Sequence, residues 1–254
     1  MLKYIFSYLL LPAIIILPAI GVTDSFLPHF TWVYEPLHSA MEGIGGLIAI
    51  AIAIVLFLSS RRQSSQSNYY WIALGFLGMG VVSCFYSVSV PGHGFVVLYL
   101  SANLIGGSGF ALSWLKPSGL ATRLKRYLFW GVITASIFFS IYVLLFRETL
   151  PAMTQNGEFT PIAITLSMIA GALFIIGAVR LLVEFHKFHN TQSYIFSLIG
   201  LAMGTSLIVF KYSGTWDNVW WLWHSMRFIS CVIAALYLLT DYYSSERELR
   251  RTEE

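Results

Sequence analysis

Val219-Trp220-Trp221-Leu222-Trp223-His224-Ser225-Met226-Arg227-Phe228-Ile229-Ser230-Cys231-Val232-Ile233-Ala234-Ala235-Leu236-Tyr237-Leu238-Leu239-Thr240 is an apolar run with a histidine and an arginine three residues apart. A bilayer core about 30 Å thick needs about 20 residues of helix, so this run is long enough to cross it. A charge held at that depth is costly, and Arg227 is therefore a functional suspect by default. A second polar pair, His38 and Glu42, opens another apolar stretch. Their four-residue spacing puts both side chains on one helix face.

The rest of the chain repeats this pattern. It has 254 residues, 57% hydrophobic and 11% charged, with a mean hydropathy of +0.73, against about 25% charged residues in a usual soluble domain. Apolar segments at 4–22, 37–59, 70–89, 95–115, 127–146, 160–182, 193–211 and 219–240 predict an all-α, polytopic membrane bundle of about eight transmembrane helices.

Cations orient such a bundle, because short cytoplasmic loops retain Lys and Arg. With the N-terminus inside, Lys3, Arg61, Arg62, Lys116, Arg123, Lys125, Arg126, Arg180, Lys187, Arg247, Arg250 and Arg251 fall on the cytoplasmic side, and Arg147 and Lys211 outside. An even number of spans then leaves both termini cytoplasmic. The net charge of +3 follows from this bias and calls for no nucleic-acid partner. The first segment is longer than a signal-peptide core, contains Pro12 and Pro18 and ends in a poor cleavage match, Gly21-Val22-Thr23, so it is expected to be a retained helix.

The outer loops, Thr23 to Pro36 and Arg147 to Thr160, are too short to fold as a domain of about 50 residues. Recognition must occur in the helical bundle itself. Cys84 and Cys231 lie inside expected helices as ordinary small apolar residues, with no metal-type spacing. His186 and His189 read as part of a basic, aromatic juxtamembrane loop, and His29 and His93 as turn residues beside Pro28, Pro91 and Gly92. Gly43, Gly45 and Gly46, like Gly106, Gly107 and Gly109, permit close helix contact and do not form a phosphate loop. Most of Trp32, Tyr34, Trp71, Trp216, Trp220, Trp221 and Trp223 are expected to be interfacial anchors, while the last four could instead line a quinone or lipid pocket.

Beyond residue 240 the last span runs without Gly or Pro into a charged tail, 241–254, with Leu238, Tyr242, Ser245 and Leu249 at roughly heptad spacing. We divide the chain into a bundle, 1–240, and this cytoplasmic signalling helix or linker. Several pieces resemble bacterial membrane-associated sensor (MASE-type) modules: His38-Ser-Ala-Met-Glu42, Gly75-Phe-Leu-Gly-Met-Gly80, Pro91-Gly92, Gly106-Gly-Ser-Gly109, Trp223-His224-Ser-Met-Arg227 and the tail Glu248-Leu-Arg-Arg-Thr-Glu-Glu254. The resemblance implies a sensor in a bacterial inner membrane, with no enzymatic activity of its own, that feeds a cytoplasmic PAS, histidine-kinase or diguanylate-cyclase output domain, often as a homodimer. In such modules the third helix often carries an Asp and a His where this chain has Ser83 and Tyr86. That departure would alter or remove part of a family-type site.

The expected topology brings His38, Glu42, Ser83, Tyr86, His224 and Arg227 to a similar depth near the outer face. A Glu42 to Arg227 ion pair is expected, because opposite charges in the apolar layer gain by pairing. The six residues form a candidate ligand-binding set, and His38, Glu42 and His224 a candidate metal set; imidazoles are common ligands for zinc, copper and haem iron. A purely structural staple between the two helices explains the same residues. Signal input is the leading functional expectation. An intramembrane metal-dependent hydrolase would want three protein ligands and an open water position, and a small transporter would show broken helices or internal repeats.

Overall fold

A computed structural model of the chain describes residues 31–62, 69–115, 120–155 and 157–253. Seven helices account for nearly all of them: α1 (Glu35–Arg62), α2 (Tyr69–Ser87), α3 (His93–Leu112), α4 (Thr122–Leu145), α5 (Pro161–Phe188), α6 (Thr191–Val209) and α7 (Asn218–Glu253). Each is long and apolar enough to cross a membrane. Helix is the expected answer for such segments, since it satisfies every backbone N–H and C=O within the segment. These helices correspond to the second through eighth expected spans. The expected first span, 4–22, and His29 lie outside the described residues.

Two boundaries differ instructively. The fifth helix continues to Phe188 instead of stopping at 182, so Glu184 and His186 are helical as well as Arg180. It ends where His189 adopts a left-handed conformation (φ 53°) and its N–H bonds back to the Phe185 carbonyl at 2.7 Å. Asn190 then caps α6 by accepting from the Gln192 N–H at 2.9 Å. The expected juxtamembrane loop is therefore a two-residue hinge between helices. The seventh helix runs unbroken from the apolar segment into the charged tail, as the lack of Gly and Pro there predicts.

Six helices close a ring in which α1 packs on α2, α2 on α3, α3 on α5, α5 on α6, α6 on α7 and α7 again on α1. The fourth helix stands outside the ring, chiefly against α2, with Tyr127, Trp130, Phe138 and Leu145 exposed. Glycines set the closest approaches. A Cβ on Gly109 would lie 2.5 Å from the Gly75 Cα, and one on Gly177 would lie 2.4 Å from the Phe110 backbone. Small residues at these crossings are what allow the backbones to meet.

The loop between α4 and α5, too short for a domain, holds a two-residue antiparallel hairpin, β1 (Thr154–Gln155) and β2 (Glu158–Phe159). It turns at Gly157, whose φ of 83° favours glycine. The hairpin covers the end of the bundle where α1, α3 and α7 begin: Phe159 stacks on Phe210 with ring centroids 4.0 Å apart, and the Met153 N–H donates to His93 Nδ1 at 3.3 Å. His93 is thus the first residue of α3 and the anchor of this cover, beyond its expected place in a turn. At the opposite end, the Arg180–Glu184 pair closes at 3.1 Å and the Tyr69 and Ser193 hydroxyls join α2 to α6 at 2.7 Å.

Candidate functional site

His38 and Glu42 lie one turn apart at the start of α1, Ser83 and Tyr86 near the end of α2, and His224 and Arg227 near the start of α7. Because these helix ends lie together, all six side chains are buried within one region of the bundle. The Arg227 Nη2 pairs with the Glu42 Oε2, as expected for two opposite charges at this depth. The other carboxylate oxygen, Oε1, faces His224 Nε2 at 3.7 Å. Tyr86 links the two histidines, its hydroxyl lying 3.0 Å from His38 Nε2 and 3.2 Å from His224 Nε2.

The backbone sets the proton arrangement. His224 Nδ1 lies 2.8 Å from the Trp220 carbonyl oxygen, which can only accept, so Nδ1 carries the hydrogen. In the neutral imidazole Nε2 is then a lone-pair atom, the Tyr86 hydroxyl donates to it, and His38 Nε2–H donates to the Tyr86 oxygen. Ser83 does not join this chain of bonds. It lines a small cavity with Met41, Glu42, Met79, Arg227 and Cys231, whose walls include the ion pair but neither imidazole.

Aromatic rings enclose the histidines. Trp220 and Trp223 flank His224 with centroids 3.7 and 3.6 Å away. Phe95, Trp216 and Trp220 surround His38 within 4.9 to 5.6 Å. The expectation that most of these tryptophans are interfacial anchors therefore fails for Trp216, Trp220 and Trp223, which are buried, whereas Trp32 and Tyr34 are exposed. The physical reason is the cap over α7: the Trp32 N–H donates to the Trp216 carbonyl at 3.0 Å and Trp221 Nε1–H to the Trp32 carbonyl at 2.9 Å, which closes this end of the bundle above the cluster. Tyr99 on α3 is a site residue missed in the sequence. It lies among the aromatics of an apolar helix with no charged neighbour in sequence, yet the Arg227 guanidinium stands 5.2 Å from its ring centroid.

Trp216 has a φ of 70°, a left-handed conformation that costs on the order of 1–3 kcal/mol in a non-glycine residue and persists only where its surroundings hold it. Asp217 helps to hold it. Its carboxylate accepts from the backbone N–H of Trp220 at 2.6 Å and from that of Gly214, capping α7 and pinning the preceding loop together. Asp217→Ala is expected to lower stability by about 1–2 kcal/mol, which thermal unfolding followed by tryptophan fluorescence would register; unchanged unfolding would show that the cap contributes nothing.

Three donor groups in the cluster, those of His38, Glu42 and His224, offer ligand atoms within 4.8 Å of one another, so the set expected to hold a metal does converge. A haem between the two imidazoles does not fit. The Tyr86 hydroxyl bridges their Nε2 atoms, and tryptophan rings pack directly on His224.

A family model for the MASE3 membrane-associated sensor domain matches residues 31–239. The chain belongs to the MASE3 family. No curated protein and no solved structure matches it. The match takes in six of the described helices whole and the seventh as far as residue 239, and the chain is a multi-pass membrane protein with a sensor domain's architecture. The resemblance to MASE-type modules noted in the sequence is thereby established. The family is described as a sensor, and that description names no catalytic chemistry. In this MASE3 domain the polar cluster ties α1, α2 and α7 together at one end, while the last helix leaves from the other.

Proposed function

We propose that this MASE3 domain is a sensory input module. A small ligand, metal ion or redox cofactor reaching the outer end of the bundle alters the His38–Tyr86–His224–Glu42–Arg227 cluster, and α7 carries the change to a cytoplasmic output such as a PAS, kinase or cyclase domain. The observation that supports this most is the placement of His224 and Arg227 on the same continuous helix, Asn218–Glu253, that leads out of the bundle. A ligand moves such a helix only if it binds one arrangement more tightly than the other. A buried ion pair with a hydrogen-bonded histidine pair beside it has that property, since any ligand that recruits Glu42 or His224 changes what Arg227 faces. The positive-inside pattern puts the cluster at the outer face and the tail in the cytoplasm, in keeping with a bacterial inner-membrane location.

Spin labels at the exposed Leu58 on α1 and Leu239 on α7 report the distance between these helices at the end remote from the cluster. In proteoliposomes, Glu42→Gln and Tyr86→Phe are each expected to shift that distance distribution. Distributions superimposable on that of the unsubstituted domain would sink the reading, because the cluster would then be uncoupled from the output end.

A further inference from the structure

The sensory reading leaves the ligand open, and the donor geometry narrows it. Zinc binds protein N and O ligands at about 2.0–2.2 Å in a tetrahedron, whose donors are therefore about 3.3–3.6 Å apart. In this cluster the Tyr86 oxygen lies 3.0 Å from His38 Nε2 and 3.2 Å from His224 Nε2, and His224 Nε2 lies 3.7 Å from Glu42 Oε1. Three measured edges thus bracket the tetrahedral value. Moreover, the Trp220 carbonyl fixes the His224 tautomer with its Nε2 lone pair facing the cluster, which is how the partner beyond a metal-binding histidine orients it.

We propose that His38 Nε2, Glu42 Oε1, Tyr86 Oη and His224 Nε2 form a binding site for a divalent transition-metal ion of the zinc class, and that this ion is the stimulus. The proposal rests on the sensory reading above. On binding, His38 shifts its hydrogen from Nε2 to Nδ1, the two imidazole Nε2 atoms and the carboxylate each donate an electron pair to the metal, the Tyr86 O–H bond breaks, its proton leaves to solvent and an oxygen–metal bond forms. The Glu42 carboxylate and the Tyr86 phenolate then supply two negative charges against the ion's two and the one of Arg227, which leaves the cluster with a single net positive charge. Glu42 now divides its charge between the metal and Arg227. The ion pair that fastens α1 to α7 weakens, and this is the change that α7 passes on.

The test is zinc content by elemental analysis, with a Co2+ titration as the optical counterpart, on the detergent-purified full chain. One zinc per chain is expected, with a tetrahedral cobalt spectrum that Zn2+ abolishes and a tyrosinate absorbance difference on binding. His38→Gln and His224→Gln should each lose stoichiometric zinc, Tyr86→Phe should lose the tyrosinate signal and bind more weakly, and a chain with Cys84→Ser and Cys231→Ser should keep its zinc. Because the histidine variants can misfold, Tyr86→Phe, which retains the ring, carries the decision if they do. An unsubstituted chain that takes up no zinc overturns the proposal, as does zinc and cobalt binding that Tyr86→Phe leaves unaltered. A chain without zinc whose α7 still moves in the spin-label experiment loses only the metal assignment. Zinc binding that leaves the inter-helix distance fixed keeps the site and removes its role as a stimulus.

Discussion

Glu42→Gln or Arg227→Gln alone is expected to destabilise the bundle by about 3–5 kcal/mol, since each leaves one buried charge without its counter-charge. Both side chains are almost fully buried, with 3% and 7% of the side-chain surface exposed for Glu42 and Arg227, so water cannot take the partner's place. The remaining contacts of Arg227 are a poor substitute: its Nη1 has no hydrogen-bond partner, and the Tyr99 ring, 5.2 Å away, supplies a cation–π attraction on the order of 2 kcal/mol for a desolvated pair, below the loss expected from the missing carboxylate. The double variant Glu42→Gln with Arg227→Gln is expected to recover most of the loss, because two neutral amides bury without a net charge. Unfolding in detergent for the three variants completes a double-mutant cycle. Additive losses, or a single variant as stable as the unsubstituted chain, would show that the two residues do not stabilise one another.

The second large effect concerns packing. Gly177→Ala adds a carbon 2.4 Å from the Phe110 carbonyl carbon and oxygen, a backbone obstacle that no side-chain rotation relieves. The α3–α5 crossing must widen, at a cost of about 1–3 kcal/mol or more for an overpacked core. The same substitution at Gly131 meets nothing within 4 Å and should be neutral or stabilising by up to about 1 kcal/mol, the difference in helix propensity. Comparing the two melting temperatures isolates the crossing from the general effect of removing glycine. Equal melting temperatures would mean that α3 and α5 do not approach this closely.

Much of the architecture is legible in the sequence because a bilayer permits few solutions. Long apolar runs must be helices, and the positions of seven of them follow within a few residues, apart from the start of α4 and the ends of α5 and α7, where polar residues continue the helix past the apolar stretch. The association of His38 and Glu42 with His224 and Arg227 is also legible, since polar groups at equal depth seek each other. What the sequence does not reveal is the order of helices around the ring. Nothing in the span 127–146 distinguishes it from its neighbours in hydropathy, yet α4 stands outside. The tryptophans show the same ambiguity. A Trp near a span end suits an interface or a core equally, and only the loop at 213–217 folding over α7 decides that Trp220 and Trp223 are buried while Trp32 is not. Ser83 illustrates a subtler limit: helical spacing groups it with Tyr86, but it lines a small cavity that neither imidazole borders.

The unbroken last helix also has a mechanical consequence. At about 1.5 Å per residue, its 36 residues make a rod about 54 Å long, well beyond the roughly 30 Å of hydrocarbon it must cross. Arg227 grips this rod near one end and leaves about 39 Å of it, at the same rise per residue, between the grip and Glu253. Such a rod is a lever with its fulcrum at the ion pair. A tilt of about 5° there sweeps the far tip through about 3 Å at that arm length, so an adjustment the size of a bond at the closed end becomes a displacement the size of a side chain at the other.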